Sequence, residues 1–279
     1  MSIEKRITQE AKQRLSGGNW SKAVCGGIIY CCIPLIIFII YSIIAEVFEK
    51  NILDLNNYTG KIDMTGMLMI VFSVGLILIC LMFTPIFLGY KRLLYQTAKD
   101  DEPEFNDLFY FFRTPDRYFT AIKYYLLKTA FIVFYAFLYF AIPVLLTVYA
   151  DDIKIFMQLP DDRMFIIWAV LALVYLLAAV LFIGTALRRY LMGYLVCENY
   201  KNPLADTVSL SSRLMRGNKV KIIKLALKML PWILLCVTVV PIIYVLPYVK
   251  ESFAVCSKWI VQLNAEYNEE KITKQQVIS

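Results

Sequence analysis

Four long apolar runs dominate the chain: Ala23 to Val47, Gly66 to Tyr90, Thr129 to Tyr149 and Met164 to Leu187. Each reaches the roughly 20 residues an α-helix needs to cross a hydrocarbon layer about 30 Å thick. A fifth run, Met229 to Val249, contains Pro231, Pro241 and Pro247 but stays apolar. Beyond it, Lys250, Glu251 and Ser252 lead into a milder segment that ends near Leu263. Two readings of that region stay open. Either the chain makes five crossings, or a break at Pro241 returns Ile242 to Leu263 as a sixth helix. The sixth helix would carry Lys250 and Glu251 deep into the bilayer, which is costly unless they face the bundle interior.

Shorter amphipathic segments precede spans 1, 3 and 5. Ile3, Ile7, Ala11 and Leu15 recur every four residues among basic neighbours. Phe105, Leu108, Phe109 and Phe112 follow helical spacing after Pro103. Leu204, Val208, Ser211 and Met215 share a face behind the cap signature Asn202-Pro203. Helices of this kind, basic on one side and apolar on the other, lie in the membrane interface. The pattern predicts an all-α polytopic bundle with five clear transmembrane helices, a less apolar candidate for a sixth, and interfacial helices before spans 1, 3 and 5.

One phrase occurs twice where such a segment meets a span. Arg14 to Lys22 and Arg213 to Lys221 share RLxxGNxxK. Gly18 and Gly217 are placed to take the left-handed conformation that ends a helix, and Asn19 and Asn218 to cap the next one. These four residues are the expected structural elbows. Arg14, Trp20, Lys22, Arg213, Arg216, Lys219 and Lys221 sit at head-group depth and are the expected lipid contacts. Before span 3, Thr114-Pro115-Asp116 replaces the phrase. The unit of surface helix, outward span and inward span is thus written up to three times. The whole of 1–279 reads as one integral membrane domain: interfacial helix 1–18, spans 1–2 in 23–90, interfacial helix and spans 3–4 in 101–187, interfacial helix, span 5 and the sixth candidate in 202–263, and a polar tail at 264–279.

Composition agrees with a membrane protein: 59% of the 279 residues are hydrophobic, 18% are charged, and mean hydropathy is +0.61. Charge orients it. The N-terminus through Lys22 holds five Lys and Arg residues, 91–128 holds seven and 188–228 holds nine. The alternate loops hold only Lys50, Lys61, Lys154 and Arg163. Twenty-one against four places the N-terminus in the cytoplasm. The same basic surface suits anionic lipids as partners. Nucleic acid is not expected, because the charges hug the apolar runs. Other membrane proteins are the remaining partner class.

Candidate chemistry is sparse. There is no histidine, which removes His-based nucleophile pairs and metal sites. The seven cysteines form no CxxC pair and read as small apolar packing residues. Asp100, Asp101, Glu102 and Glu104 read as helix-start carboxylates, not ligands. Tyr135 and Tyr139 share a helix face and read as bundle packing. No catalytic, cofactor or metal residue is expected.

Ser211, Met215, Arg216, Gly217, Asn218, Lys219, Trp232, Pro247 and Tyr248 carry a recognisable series: a serine, Met-basic-Gly-Asn-Lys, a tryptophan in an aliphatic stretch, and a Pro-Tyr pair. With Gly18-Asn19-Trp20 and the Phe-rich segment before span 3, the chain resembles the bacterial integral membrane family called domain of unknown function 975. Lys228 stands where that family tends to have serine, Pro231 where it has glycine, and Pro241 near its usual glycine turn. The resemblance implies a multi-pass protein of the bacterial cell membrane and supplies no activity. Without convergent catalytic groups, the expected role is a non-enzymatic scaffold or accessory subunit. The alternative is a transporter or channel for a small neutral or lipid-like substrate. The scaffold reading predicts a packed bundle without a polar cavity.

Overall fold

The computed structural model describes residues 3–16, 18–59, 64–99, 103–150, 164–235 and 239–278. Among them there are helices and no strands. The helices are α1 (Ile3–Arg14), α2 (Asn19–Thr59), α3 (Met64–Lys99), a 3-10 helix (Phe105–Phe112), α4 (Pro115–Val148), α5 (Met164–Arg188), α6 (Met192–Glu198), α7 (Leu204–Leu214), α8 (Lys219–Leu235) and α9 (Val239–Ile278). Among the described residues, four stretches are long and apolar enough to cross a membrane: Asn19–Val47, Ser73–Lys99, Pro115–Val148 and Trp168–Glu198. They fall on the four expected spans and extend beyond them at the ends where the short helices lie.

The fifth expected span, Met229 to Val249, is not a single helix. It is divided between the end of α8 and the start of α9. These two helices pack on each other, with Trp232 edge-on to Tyr248 at 6.1 Å. Tyr244 of α9 stacks on Trp20 at the start of α2, while Lys258 and Trp259 reach Glu10 of α1. α9 therefore lies across the end of the bundle where the short helices gather, hereafter the elbow end. Pro34, Pro85, Pro143, Pro231 and Pro247 all sit inside continuous helices.

Both copies of the repeated phrase turn on glycine. Gly18 and Gly217 have φ of +96° and +88°, a region that strains any side chain. The asparagines act differently from the expectation. The side-chain amide of Asn19 donates back to the Arg14 carbonyl (3.2 Å), and that of Asn218 to the Leu214 carbonyl (2.9 Å). They satisfy orphan carbonyls at the end of the helix just finished and do not cap the next. The segment before α4 also departs from expectation, being 3-10 and not α. Glu104 and Asp107 form a reciprocal capping box, and three residues per turn align Leu108 with Phe111, both fully buried. Pro103 precedes this helix, and Pro203, one residue later than expected, is the N-cap of α7.

Two of the three buried clusters lie at the elbow end; the third is small, Ala150 and Leu171 with Leu146, at the far ends of α4 and α5. Ile7, Ala11 and Leu15 of the first stripe pack with Leu93, Leu191, Met215 and Leu225. A second cluster joins Leu88, Phe111, Tyr124 and Met192. The stripes of α1 and α7 thus face protein: Leu204 and Val208 lean on the second cluster, and Ser211 Oγ donates to the Arg188 carbonyl (3.0 Å). Apart from the Ala150–Leu171 cluster, most of the described side chains in the far halves of the spans are exposed and apolar, as at Phe137 (75% exposed), the surface a hydrocarbon solvent accepts. Of the cysteines, Cys197 and Cys256 are buried, whereas Cys25, Cys31, Cys32 and Cys80 are exposed on apolar helices.

Candidate functional site: a cationic, tyrosine-lined cavity

α2 packs along α3, and α4 along α5. Between these pairs, near the elbow end, lies a cavity of about 510 Å³. One wall comes from Tyr30, Phe87, Tyr90 and Lys91, closed by Val249, Lys250 and Phe253 of α9. The other comes from α4, α5 and α6. The lining holds four cations, Lys91, Lys128, Arg189 and Lys250, and seven tyrosines, but no carboxylate.

The sequence sets the depth of the cations. Lys91 follows the apolar run ending at Tyr90, Lys128 precedes the run starting at Thr129, and Arg189 lies just past the run ending at Leu187. The rotation of each helix then turns them inward. Lys91 Nζ lies 4.0 Å from the Tyr194 ring centre, and Arg189 Cζ lies 4.0 Å from Phe131 and 4.5 Å from Tyr135. Lys250 Nζ sits 4.9 Å from the Tyr30 ring and 3.5 Å from its hydroxyl. Lys128 lies 5.8 Å from Tyr125. Aromatic faces attract cations by about 0.5–2 kcal/mol each but do not neutralise them.

Neighbouring cations show what compensation looks like here. Arg92, adjacent to Lys91, pairs with Asp107 (3.9 Å), stacks on Tyr110 (3.7 Å) and donates to the Cys197 carbonyl. Lys99 pairs with Glu198. Among the described residues, none of the four cavity cations has an acidic partner. Arg189 donates one long bond to the Thr185 carbonyl (3.5 Å), and its buried Nε has no acceptor.

The floor depends on a missing side chain. A Cβ at Gly193 would lie 2.5 Å from both Lys91 Nζ and Tyr124 OH. A side chain there would have to displace the ends of these two side chains, which glycine leaves in place. Tyr190 OH is fixed by donating to the Phe253 carbonyl (3.0 Å), and Tyr90 OH donates to the Ala23 carbonyl (3.3 Å). Away from the elbow end the wall becomes apolar, and Ile132 (44%) and Ile183 (52%) are exposed. The cavity thus has a charged end and an apolar, laterally open end.

The residues singled out in the repeated phrase lie outside this cavity and apart from one another. Arg14 pairs with Glu10 (3.6 Å). Lys22 Nζ donates to the Pro103 carbonyl (2.9 Å), and Lys219 Nζ to the Gly184 carbonyl (2.9 Å). Desolvation, together with the like charge of Arg188, holds the Lys219 ammonium below the usual lysine range. Trp20 packs on Tyr244, Lys221 is half-buried, and Arg216 is exposed. Arg213 borders a polar groove with Glu198 and Asp206. Glu251, beside Lys250 in sequence, is fully buried with both oxygens unbonded; its electrostatic neighbours are Arg14, Glu10 and Lys258.

Sequence reasoning treats Lys91 and Arg189 as orientation charges and reads Tyr135 as packing, whereas Tyr135 lines the cavity. The one signal in the sequence is Lys250, a cation in an otherwise apolar segment. Among the described residues no group of three or more His, Cys, Asp or Glu is placed to hold a metal ion. No curated protein and no solved structure matches the chain. The family model described as protein of unknown function DUF975 matches residues 1–263, and the chain belongs to that family.

Proposed function

We propose that this is a multi-pass protein of the bacterial cell membrane that takes a lipid-like molecule into the cavity between its two long helix pairs, without chemical transformation. The carrying observation is the cavity's polarity: charged at the elbow end, apolar and laterally open toward the exposed halves of the spans. A solute entering only from water has no use for an exposed apolar rim. A scaffold requires no cavity at all, so the transport-type reading is favoured over the accessory-subunit reading. The lining offers cations and phenols but no carboxylate or histidine, which supports binding or passage over acid–base turnover.

The elbow end faces the cytoplasm in this reading, supported by the bias of Lys and Arg toward that side. The four long helices cross the membrane, and the α8–α9 pair enters and leaves on the elbow side. Both termini then share the cytoplasmic face. The stripes of α1 and α7 are occupied by protein, so head groups meet their basic outer faces, including Arg213 and Arg216.

The test is reconstitution into vesicles containing a fluorescent phospholipid confined to one leaflet, with quenching used to follow its redistribution. Faster exchange than in protein-free vesicles, slowed when the cavity is filled by Ile183→Trp, is the expected result. No exchange, together with no lipid retained through purification, would return the protein to the scaffold class.

A further inference from the structure

We infer that the cavity recognises a phosphate-bearing lipid of the cytoplasmic leaflet, its head group held by Lys91, Lys128, Arg189 and Lys250. The inference rests on the lipid-cavity reading above and adds the chemistry of the ligand. Three observations converge on it.

The first is charge without compensation. Four cations line one cavity of about 510 Å³ with no carboxylate among the lining residues. A partly buried cation without a counter-ion is strongly disfavoured. Arg92, Lys99 and Lys258, close by, all have carboxylate partners. An anion supplied from outside would give the four cavity cations what those three already have.

The second is depth. Lys91, Lys128 and Arg189 each lie within two residues of the end of an apolar run, the level at which lipid phosphates sit. Charges needed only for orientation can snorkel outward to any head group. Lys91 and Arg189 instead line a half-buried, tyrosine-lined space, with the exposed Lys128 at its edge. Donors line that space: the guanidinium of Arg189 with its unused Nε, and the Lys91 ammonium beside the Tyr124 hydroxyl, both next to the bare Cα of Gly193. Guanidinium and ammonium donors around an oxyanion form charge-assisted hydrogen bonds, about twice as strong as neutral ones.

The third is the exit. The volume suits a head group and the first part of its chains, not a whole two-chain lipid. The exposed rim at Ile132 and Ile183 gives the remaining chain length a route to hydrocarbon. A soluble phosphate would share the cations but not use the rim.

The experiment uses the full chain, purified in neutral detergent and transferred to phosphatidylcholine nanodiscs. The discs are doped in separate arms with phosphatidic acid, phosphatidylglycerol or further phosphatidylcholine, and retained lipid is read by native mass spectrometry. Phosphatidic acid, with the largest head-group charge, should be retained most and phosphatidylcholine least. Lys128→Gln with Arg189→Gln should weaken phosphatidic acid retention about 30-fold, from roughly 1 kcal/mol for each charge removed. Removing unpaired cations relieves repulsion, so the lipid-free unfolding midpoint of that variant should not fall. Ile183→Trp keeps all four cations and should also lose lipid, which separates the apolar rim from the charges. Equal retention of phosphatidic acid and phosphatidylcholine would overturn the head-group assignment while leaving the lipid cavity standing. Absence of any retained lipid would overturn both. Inorganic phosphate that stabilises the protein as well as phosphatidic acid does would assign the cavity to a soluble anion and overturn the lipid source.

Discussion

Replacing Gly89 with alanine tests whether the elbow end is built as described. Gly89 lies on α3 where that helix passes the 3-10 helix. An added Cβ would sit 1.9 Å from the Leu108 carbonyl oxygen and 2.7 Å from its carbon. Both obstacles are backbone, so no rotamer change relieves the clash. The shortest ordinary C···O contact is about 3.3 Å, so the two elements must part by about 1.4 Å. Leu88, Leu108 and Phe111 are all fully buried beside that contact. A gap of 0.5–1 Å already forfeits about a quarter to a half of each dispersion contact. Overpacking of this kind costs about 1–3 kcal/mol, and a backbone obstacle puts Gly89→Ala at the upper end. The helical preference for alanine returns only about 0.5–1 kcal/mol, so loss wins by about 2 kcal/mol. Gly75, on the same helix with nothing within 4 Å of its Cβ position, supplies the control. Gly75→Ala should be neutral or slightly stabilising. Both variants would be unfolded thermally in the same detergent micelle, followed by circular dichroism. A Gly89→Ala midpoint equal to or above that of Gly75→Ala would refute the close packing of α3 against the 3-10 helix.

Four further outcomes follow from the geometry. Gly217→Ala should lose about 1–2 kcal/mol in the same unfolding assay, because φ of +88° is strained for any Cβ, while Gly217→Asn should lose less. Glu10→Gln breaks the 3.0 Å pair with Lys258, and should cost about 1.5–3 kcal/mol and speed proteolytic nicking between α1 and α2; unchanged nicking would mean that α1 is not latched to α9. Gly193→Ala pushes against Lys91 Nζ and Tyr124 OH, and should lower phosphatidic acid retention with little change in fold. A reporter fused after Ser279 should score as cytoplasmic, and an external signal would refute the proposed course of α8 and α9.

The parts of the fold legible in the sequence are those that local chemistry dictates. Spans 1 to 4 could be read because a run longer than about 20 apolar residues has few alternatives to crossing a membrane. Gly18 and Gly217 could be read because a glycine at the end of an amphipathic stripe has one common use. The role of Asn218 could not be read, since its side chain can reach the helix behind as easily as the one ahead. Mean hydropathy runs unbroken from Met229 to Val249, so it left two readings open, and α9 begins at Val239, two residues before the Pro241 break that one of them used. Phe105, Leu108 and Phe109 fit the α-helical period, but Leu108 and Phe111 fit a period of three, and the capping box chose the tighter helix.

The cavity was illegible for a different reason, and it changes what the basic charges mean. Sequence fixes the depth of Lys91, Lys128 and Arg189 but not the direction in which each points around its helix. Counted by position, they belong to a bias that orients the protein. Sorted by contact, eleven cations among the described residues fall into three groups. Arg14, Arg92, Lys99 and Lys258 are paired with carboxylates within the elbow end. Lys22, Lys219 and Lys228 bond to carbonyls of neighbouring segments, Lys228 reaching the Glu4 carbonyl (3.0 Å) and Thr8 Oγ1 (2.7 Å). Among the described residues, Lys91, Lys128, Arg189 and Lys250 meet aromatic faces, and Arg189 and Lys250 add one long bond each to a neutral oxygen. A charge required for orientation alone would be as useful on the outside of the bundle, where solvation is free. Holding Lys91, Arg189 and Lys250 half-buried in one cavity, with Lys128 at its edge, adds a desolvation cost that orientation cannot explain, and an anionic head group can offset it.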